Sequence, residues 1–163
     1  PDLHKFLDKY QHLLIDDSCL GYFFHLYIDR RFFKDYIPEV VEFYDSAGEI
    51  TDIKSEVAKV LVRKTGVWIP GNEYLTEKYY YGDYTRMNTY LAQRFHLVFD
   101  LNPEVKNPGI EEADYPAVKE VLTSLKGYMN VPASAVNNLT VFDVEDLIRF
   151  LKKVVRDFIT FYC

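Results

Sequence analysis

The sequence predicts a mainly helical, all-α fold, a single-domain bundle of about six to eight helices spanning residues 1–163. Apolar residues recur three or four positions apart through most of the chain, and capping or helix-stopping residues separate these runs. No internal repeat or long linker divides the sequence. A chain of 163 residues buries roughly 70% of its unfolded surface, so it can form its own core. Residue 1 is Pro rather than Met, which is compatible with a piece of a longer polypeptide.

Two helices are predicted at the start of the chain. Asp2 is placed to cap the first helix, whose apolar stripe comprises Leu3, Phe6, Leu7, Tyr10, Leu13 and Leu14. The sequence Asp16-Asp17-Ser18 interrupts this pattern and offers a cap for the second helix. The second helix has apolar residues on several sides, which indicates a central, buried helix; they are Leu20, Tyr22, Phe23, Phe24, Leu26, Tyr27 and Ile28.

Two further helices are predicted between residues 38 and 66. Pro38 cannot continue the second helix without losing a hydrogen bond, so we expect a short new helix after it that ends at Gly48. The apolar residues of this short helix are Val40, Val41, Phe43 and Tyr44. Thr51 is placed to cap a long helix that ends at Gly66. The buried stripe of the long helix would consist of Ile53, Val57, Val60 and Leu61.

The stretch from Tyr79 to Tyr84 has two interpretations, and a predicted turn at residues 67–72 precedes it. Aromatic residues around Gly82-Asp83 would suit a hairpin, which gives an alternative α+β fold with a small hairpin around residues 75–100. We prefer a helical interpretation in which Gly82 closes one short helix and Asp83 caps the next. The reason is that helical spacing continues directly afterwards, at Tyr84, Met87, Leu91, Phe95 and Val98.

The remainder of the chain is predicted to contain an exposed loop and two helices. Residues 102–112 include two Asn-Pro pairs, which are typical of a long connection. Asp114 and Pro116 open a helix whose apolar face comprises Val118, Val121, Leu122, Leu125 and Met129. Residues 140–143 resemble a capping box for the last helix. Its continuous stripe comprises Val144, Leu147, Ile148, Leu151, Val155, Phe158 and Tyr162.

Charge and motif spacing exclude several classes of function. The net charge is −6, and residues 1–66 and 67–163 each contribute −3, so neither part is basic, which argues against nucleic-acid binding. The seven glycines are solitary, so no phosphate-binding loop is predicted, and no serine lies in a nucleophile elbow. The four histidines lack the short spacings of metal sites. We therefore predict no catalytic residues, no metal and no cofactor. No apolar run in the sequence is long enough to span a membrane, so we also predict no membrane-spanning segment.

Two histidines carry the alternative hypothesis, that of an enzyme or a small-ligand or cofactor sensor with a pocket between helices. His96 lies between Phe95 and Leu97 on a predicted apolar helix, where a lone histidine is usually a core or boundary residue. In the functional interpretation, His25 or His96 would meet a tyrosine hydroxyl and an aspartate from distant parts of the chain. Whether the protein is an enzyme is left open, and the absence of catalytic motifs argues against it.

The aromatic content supports the leading hypothesis, a helical protein–protein interaction module. Aromatic residues make up 17% of the chain and are concentrated between Tyr22 and Tyr44 and between Tyr74 and Phe99. Aromatic side chains are preferred at the centres of protein interfaces. Because Tyr79-Tyr80-Tyr81 cannot point one way on a helix, we expect at least one ring to be near the surface. The predicted partner-binding residues are Trp68, Tyr74, Tyr79, Tyr80, Tyr81 and Tyr84.

The number and spacing of the cysteines bear on the cellular compartment in which the protein is located. The two cysteines, Cys19 and Cys163, are far apart and form no disulfide framework. Isolated thiols suit a reducing environment, so the sequence predicts an acidic, soluble, intracellular protein located in the cytoplasm. The sequence makes no prediction about oligomeric state.

Overall fold

The computed structural model describes residues 1–98 and 106–162. It is 63% helical with a small three-stranded sheet, which confirms the mainly helical class. The α-helices of the described part are α1 (Leu3–Tyr10), α2 (Asp17–Arg31), α3 (Ile37–Val40), α4 (Gly71–Tyr74), α5 (Tyr80–Phe95), α6 (Tyr115–Ser124) and α7 (Val144–Tyr162). The strands are β1 (Val41–Tyr44), β2 (Lys59–Val62) and β3 (Val67–Pro70), antiparallel in the order β1-β2-β3.

The sheet replaces two helices that the sequence predicted. The short helix after Pro38 ends at Val40, and the chain continues as β1. The predicted helix from Thr51 to Gly66 is wrong. The Thr51 hydroxyl accepts the Ile53 N–H, and a single 3-10 turn at Lys54–Glu56 follows before β2 begins. The hairpin alternative is wrong in position, since the strands lie between residues 41 and 70 and residues 80–95 are helical.

The alternation of buried and exposed side chains along the strands explains why these residues form a sheet. Val41, Val60, Val62 and Ile69 are almost fully buried, and the register pairs Val41 with Val62 and Val60 with Ile69. These four side chains therefore lie on one face, as the period of two in a strand requires. β-Branched residues suit such a half-buried pleated surface. Trp68, predicted to lie in a turn, is on the opposite face of β3.

Most helix starts are where the sequence predicted them. The carboxylates of Asp2, Asp16 and Asp114 accept backbone N–H groups at the first turns of α1, α2 and α6. Helix α7 is confirmed over its whole length, but its capping side chain is Asp143, which accepts from the N–H groups of residues 145 and 146. Thr140 lies before this cap.

Helix α5 runs without a break through Gly82 and Asp83, so neither residue ends or caps a helix there. Asp83 is the buried charged residue of the described part of the chain. Its carboxylate accepts the backbone N–H groups of Thr140, Val141 and Phe142 at 2.7–3.2 Å and contacts the Arg86 guanidinium at 2.9 Å. One side chain of α5 therefore fixes the segment that leads into α7.

Two apolar clusters form the core, and both include parts of α7. The first joins the sheet to α3, α4, α5 and the start of α7, with Phe32, Tyr36 and Phe142 among its rings. The second joins α1, α2 and the end of α7 around Phe23. Phe150 packs against both clusters. The fully buried Cys19 belongs to the second cluster, and burial raises the pKa of its thiol.

The loop predicted at residues 102–112 lies partly outside the described residues, which resume at residue 106. In the described part, Ile110 is fully buried in the second cluster. Beside it, Glu112 accepts a hydrogen bond from the Tyr10 hydroxyl and forms an ion pair with Lys9 at 2.7 Å. The hydrogen bond from Lys9 is the main reason why the pKa of Glu112 falls to about 2. This segment is therefore attached to the end of α1.

This attachment predicts a specific pH dependence. Because the folded pKa of Glu112 lies below its ordinary value of 4.5, the carboxylate stabilises the folded state above about pH 4.5. That contribution is lost as the pH falls towards 2. We expect Glu112→Gln to lower the urea midpoint slightly at neutral pH and not at pH 2. Glu120→Gln, on exposed α6, is the control. A Glu112→Gln deficit that stays constant from neutral pH to pH 2 would contradict the prediction.

Candidate functional site

A cleft with a volume of about 980 Å³ lies beside the sheet in the described part of the chain. Its walls come from α3, β1, the β1–β2 connection, α4 and the start of α5. The lining residues are Phe33, Ile37, Pro38, Val41, Glu42, Phe43, Ile50, Thr51, Asp52, Lys54, Val57, Arg63, Gly71, Asn72, Tyr74, Leu75, Tyr80 and Tyr81. We call this feature the aromatic cleft.

Four large apolar side chains of the aromatic cleft remain exposed. Phe33 is 56% exposed, Ile50 69%, Leu75 39% and Tyr81 49%. They belong to four separate segments: the turn after α2, the β1–β2 connection, the turn after α4 and the first turn of α5. Scattered exposed apolar residues are normal on a protein surface, whereas several that converge on one concavity indicate a binding site.

The placement of Phe33 depends on a π-helical turn at Phe32–Tyr36, between α2 and α3. The Ile37 N–H donates to the carbonyl of Phe32, five residues back, and Pro38 follows without an N–H of its own. Phe32 is buried in the first cluster while Phe33 projects into the cleft. Single π-helical turns occur frequently at functional sites, which supports the cleft as the candidate site.

Tyrosines form the wall of the cleft that α4 and α5 provide. The rings of Tyr74 and Tyr80 lie 5.4 Å apart and are both buried, and the ring of Tyr80 lies 5.4 Å from that of Tyr81. The Tyr80 and Tyr84 hydroxyls are 3.0 Å apart and share a hydrogen bond. Tyr81 is therefore the member of this group with the most surface to offer a ligand.

The Tyr74 hydroxyl is buried and has no hydrogen-bond partner among the described residues. Burial raises the pKa of Tyr74, so the hydroxyl stays protonated at neutral pH and keeps its capacity to donate. An unsatisfied buried hydroxyl costs about 1–3 kcal/mol. Tyr74 is thus the polar group of the cleft wall with the most to gain from a bound partner or water molecule.

Charges line the rim of the aromatic cleft. Arg63 forms an ion pair with Glu42 at 3.0 Å and donates to the carbonyl of Pro38 at 2.9 Å. Asp52 and Lys54 also line the cleft, are exposed, and form no ion pair within the described ranges. The cleft therefore combines an apolar floor with a charged rim, as protein interfaces do.

The structure brings together three of the six predicted partner-binding residues, Tyr74, Tyr80 and Tyr81, in the aromatic cleft. Tyr84 is part of the same tyrosine group but does not line the cleft, and Tyr79 is partly buried against the first core cluster. Trp68 lies apart, on the outer face of the sheet, with its ring 5.1 Å from that of Tyr44 and 4.8 Å from the Lys59 ammonium.

The two histidines of the alternative hypothesis do not meet each other or the cleft. His25 is exposed on α2, with its Nε2 atom 3.5 Å from the Asp29 carboxylate. His96 ends α5 in a left-handed conformation, with φ of 51°. It is exposed, rather than the core or boundary residue that its apolar neighbours suggested. Within residues 1–98 and 106–162, no group of three His, Cys, Asp or Glu side chains could hold a metal ion.

A second, smaller groove of about 320 Å³ lies between α2 and α7. Its lining is almost entirely apolar and includes Leu20, Phe24, Val155 and Ile159. It contains no aromatic hydroxyl and one charged residue, Asp17. This groove therefore offers a ligand fewer polar and aromatic contacts than the aromatic cleft does.

Sequence reasoning missed Phe33, Ile50 and Leu75 as site residues. Phe33 is one of nine aromatic residues between Tyr22 and Tyr44, and the concentration of rings in that stretch does not by itself single it out. Ile50 was placed between two helices that are in fact strands. Pro38, five residues after Phe33, was a usable signal, because a helix must rearrange its hydrogen bonds before a proline.

No protein-family model, curated protein or solved structure matches this chain. None of the helices in the described ranges is long and apolar enough to cross a membrane.

Proposed function

We propose that this protein is a binding module that holds an apolar segment of a protein partner in the aromatic cleft. The observation that carries the proposal is the convergence of Phe33, Ile50, Leu75 and Tyr81, all exposed, on one concave surface. Bound partners bury such side chains, and aromatic residues contribute most of the binding energy at interface centres.

The openness of the cleft favours a polypeptide over a small molecule as the ligand. Small-molecule sites enclose most of their ligand's surface and are typically 300–1,000 Å³ in volume. The aromatic cleft, at about 980 Å³, is at the upper end of this range, and its apolar residues stay between 39% and 69% exposed. An extended or helical segment that continues beyond the cleft would cover them better than a small compact ligand.

Binding is also favoured over catalysis by the residues that line the cleft. They include no histidine and no cysteine, and the Glu42 carboxylate is engaged by Arg63. General acid–base catalysis needs two titratable groups in different environments within reach of one substrate. Of the two carboxylates that line the cleft, Glu42 is paired with Arg63, which leaves Asp52 as the unpaired one, and most of the lining offers apolar contact and hydrogen bonding.

Replacement of Phe33 tests the proposal. We expect Phe33→Ser to weaken binding by at least tenfold, because it removes a ring that a partner would bury. Phe161→Ser is the matched control, since Phe161 is 73% exposed on α7 and lies outside the cleft. The probe is a fluorescent synthetic peptide selected on the wild-type protein from a display library of random peptides. Its dissociation constant is measured by fluorescence anisotropy.

Both variants should keep the wild-type circular dichroism spectrum and unfolding midpoint, because both side chains are exposed. Tyr81→Ala gives a second measurement at the cleft, where we also expect a loss of binding. If selection yields no peptide that binds above background, or if the Phe161→Ser variant loses as much affinity as Phe33→Ser, the cleft is not the binding surface.

A further inference from the structure

Acidic residues are concentrated beside the aromatic cleft. The segment 39–56, which includes β1 and most of the β1–β2 connection, contains six acidic residues and one basic residue. Its formal charge is −5, out of −6 for the whole chain. Residues 1–66 and 67–163 each carry a net charge of −3, and this equal division conceals the concentration. The concentration matters because residues 41–43, 50–52 and 54 of the segment line the cleft.

Three of these acidic side chains, Glu39, Glu49 and Asp52, are exposed and have no ion-pair partner among the described residues. Asp52 lines the cleft, whereas Glu39 and Glu49 are the sequence neighbours of the lining residues Pro38 and Ile50. The other three have partners within the molecule: Glu42 pairs with Arg63, Asp45 accepts two N–H groups of its own turn, and Glu56 accepts the Thr51 hydroxyl.

Nearby basic residues reduce this negative charge without cancelling it. Lys54 belongs to the same segment, Arg63 is held by Glu42, and Lys34 follows Phe33 on the π-helical turn. Counting Lys34 and Arg63 together with the segment leaves a formal charge of −3. The formal charges of the four charged residues that line the cleft, Glu42, Asp52, Lys54 and Arg63, sum to zero. The net negative charge comes from the adjoining positions of segment 39–56, and Asp52 is the carboxylate of the lining without an ion pair among the described residues.

We infer that the segment bound in the aromatic cleft carries lysine or arginine residues beside its apolar anchors. This inference rests on the proposed function and specifies the partner. Charges at an interface rim steer encounter and select among partners more than they add affinity. The apolar floor would supply most of the affinity, and the acidic wall would select basic, amphipathic segments over neutral or acidic ones. The selectivity should weaken with added salt, because exposed charges are screened.

A charge-reversal pair separates this inference from the proposed function. The test variant is Glu49→Lys combined with Asp52→Lys, beside the cleft. The control is Asp8→Lys combined with Glu120→Lys, which makes the same change in net charge on exposed positions of α1 and α6. Peptides are selected on the wild-type protein, and each variant is then titrated with them at low and at high sodium chloride concentration.

We expect the selected peptides to be net positive and to contain large apolar residues. The cleft variant should bind them about tenfold more weakly at low salt, the control should stay within about twofold of wild type, and the difference should shrink in high salt. Neutral or acidic selected peptides, or equal affinities for the two variants, would overturn the inference. The proposed function would survive that result if Phe33→Ser still abolished binding.

Two other occupants of the aromatic cleft, a second copy of this chain or a small apolar molecule, would each give a distinct experimental result that overturns the inference. If the cleft takes a second copy of this chain, sedimentation will show a dimer that Phe33→Ser dissociates. If it takes a small apolar molecule, a hydrophobic dye such as anilinonaphthalene sulfonate will bind in a Phe33-dependent way and no selected peptide will displace it.

Discussion

Asp83→Ala is expected to lower the free energy of unfolding by about 3–5 kcal/mol, because it removes the buried carboxylate of the described part of the chain. The carboxylate is fully buried and accepts the N–H groups of Thr140, Val141 and Phe142. Removal would leave the buried N–H groups of Val141 and Phe142 and the partly buried N–H group of Thr140 without this acceptor. Each unsatisfied buried donor costs about 1–3 kcal/mol. Urea unfolding followed by circular dichroism measures the loss.

Asp114→Ala is the control for this prediction. Asp114 also accepts a backbone N–H, that of Ala117, but it is an exposed cap at the start of α6. Loss of such a cap costs about 1 kcal/mol. Asp83→Asn is a second variant that keeps the shape of the side chain but turns an acceptor into an amide donor, and we expect an intermediate loss. If Asp83→Ala and Asp114→Ala cost the same, then the contacts of Asp83 do not hold α7 in place.

Local signals were sufficient to predict α1, α2, α6 and α7 and the caps of the first three of these helices. Asp2, Asp16 and Asp114 each lie directly before an apolar run, and a capping carboxylate needs only the next three residues to act. The stripe of α7 could be predicted for the same reason, because every contact that defines its helical period lies within a few positions. These features depend on residues that are close together in the sequence.

The sheet depends on contacts that are distant in sequence. Val57, Val60 and Leu61 fit a helical stripe by chance, and the alternation of Val60 and Val62 is too short to outweigh it. What determines the strand is the pairing of Val41 with Val62, twenty-one positions apart. A single sequence contains no direct record of that pairing, so residues 41–70 were assigned to helices and a turn.

The candidate site was predicted in part for a similar reason. Periodicity indicated that one ring of Tyr79-Tyr80-Tyr81 should be near the surface, but it could not identify which one. In the structure Tyr81 is exposed and Tyr80 is buried against Phe142, with 5.4 Å between the ring centroids. Tyr80→Ala would therefore report on stability rather than on binding, whereas Tyr81→Ala reports on the cleft.

Gly82→Ala is expected to destabilise the protein by about 3 kcal/mol, even though alanine is the best helix former and Gly82 lies inside α5. A Cβ atom at position 82 would lie 1.9 Å from the Glu77 carbonyl oxygen and 2.8 Å from its carbon. Both are backbone atoms, so the clash cannot be relieved by rotating a side chain. Either the turn at residues 75–79 or the first turn of α5 must move, and Tyr81 belongs to the latter.

Gly21→Ala is the matched control, because Gly21 also lies inside a helix, α2, but a Cβ there meets no atom within 4 Å. Ordinary helix propensity should then prevail and stabilise the protein by about 0.5–1 kcal/mol. The two substitutions are chemically identical, so opposite signs in urea unfolding would isolate the contact with Glu77. If Gly82→Ala also stabilises the protein, the backbone of residues 75–79 is not packed against α5. The position of Tyr81 in the aromatic cleft would then need another explanation.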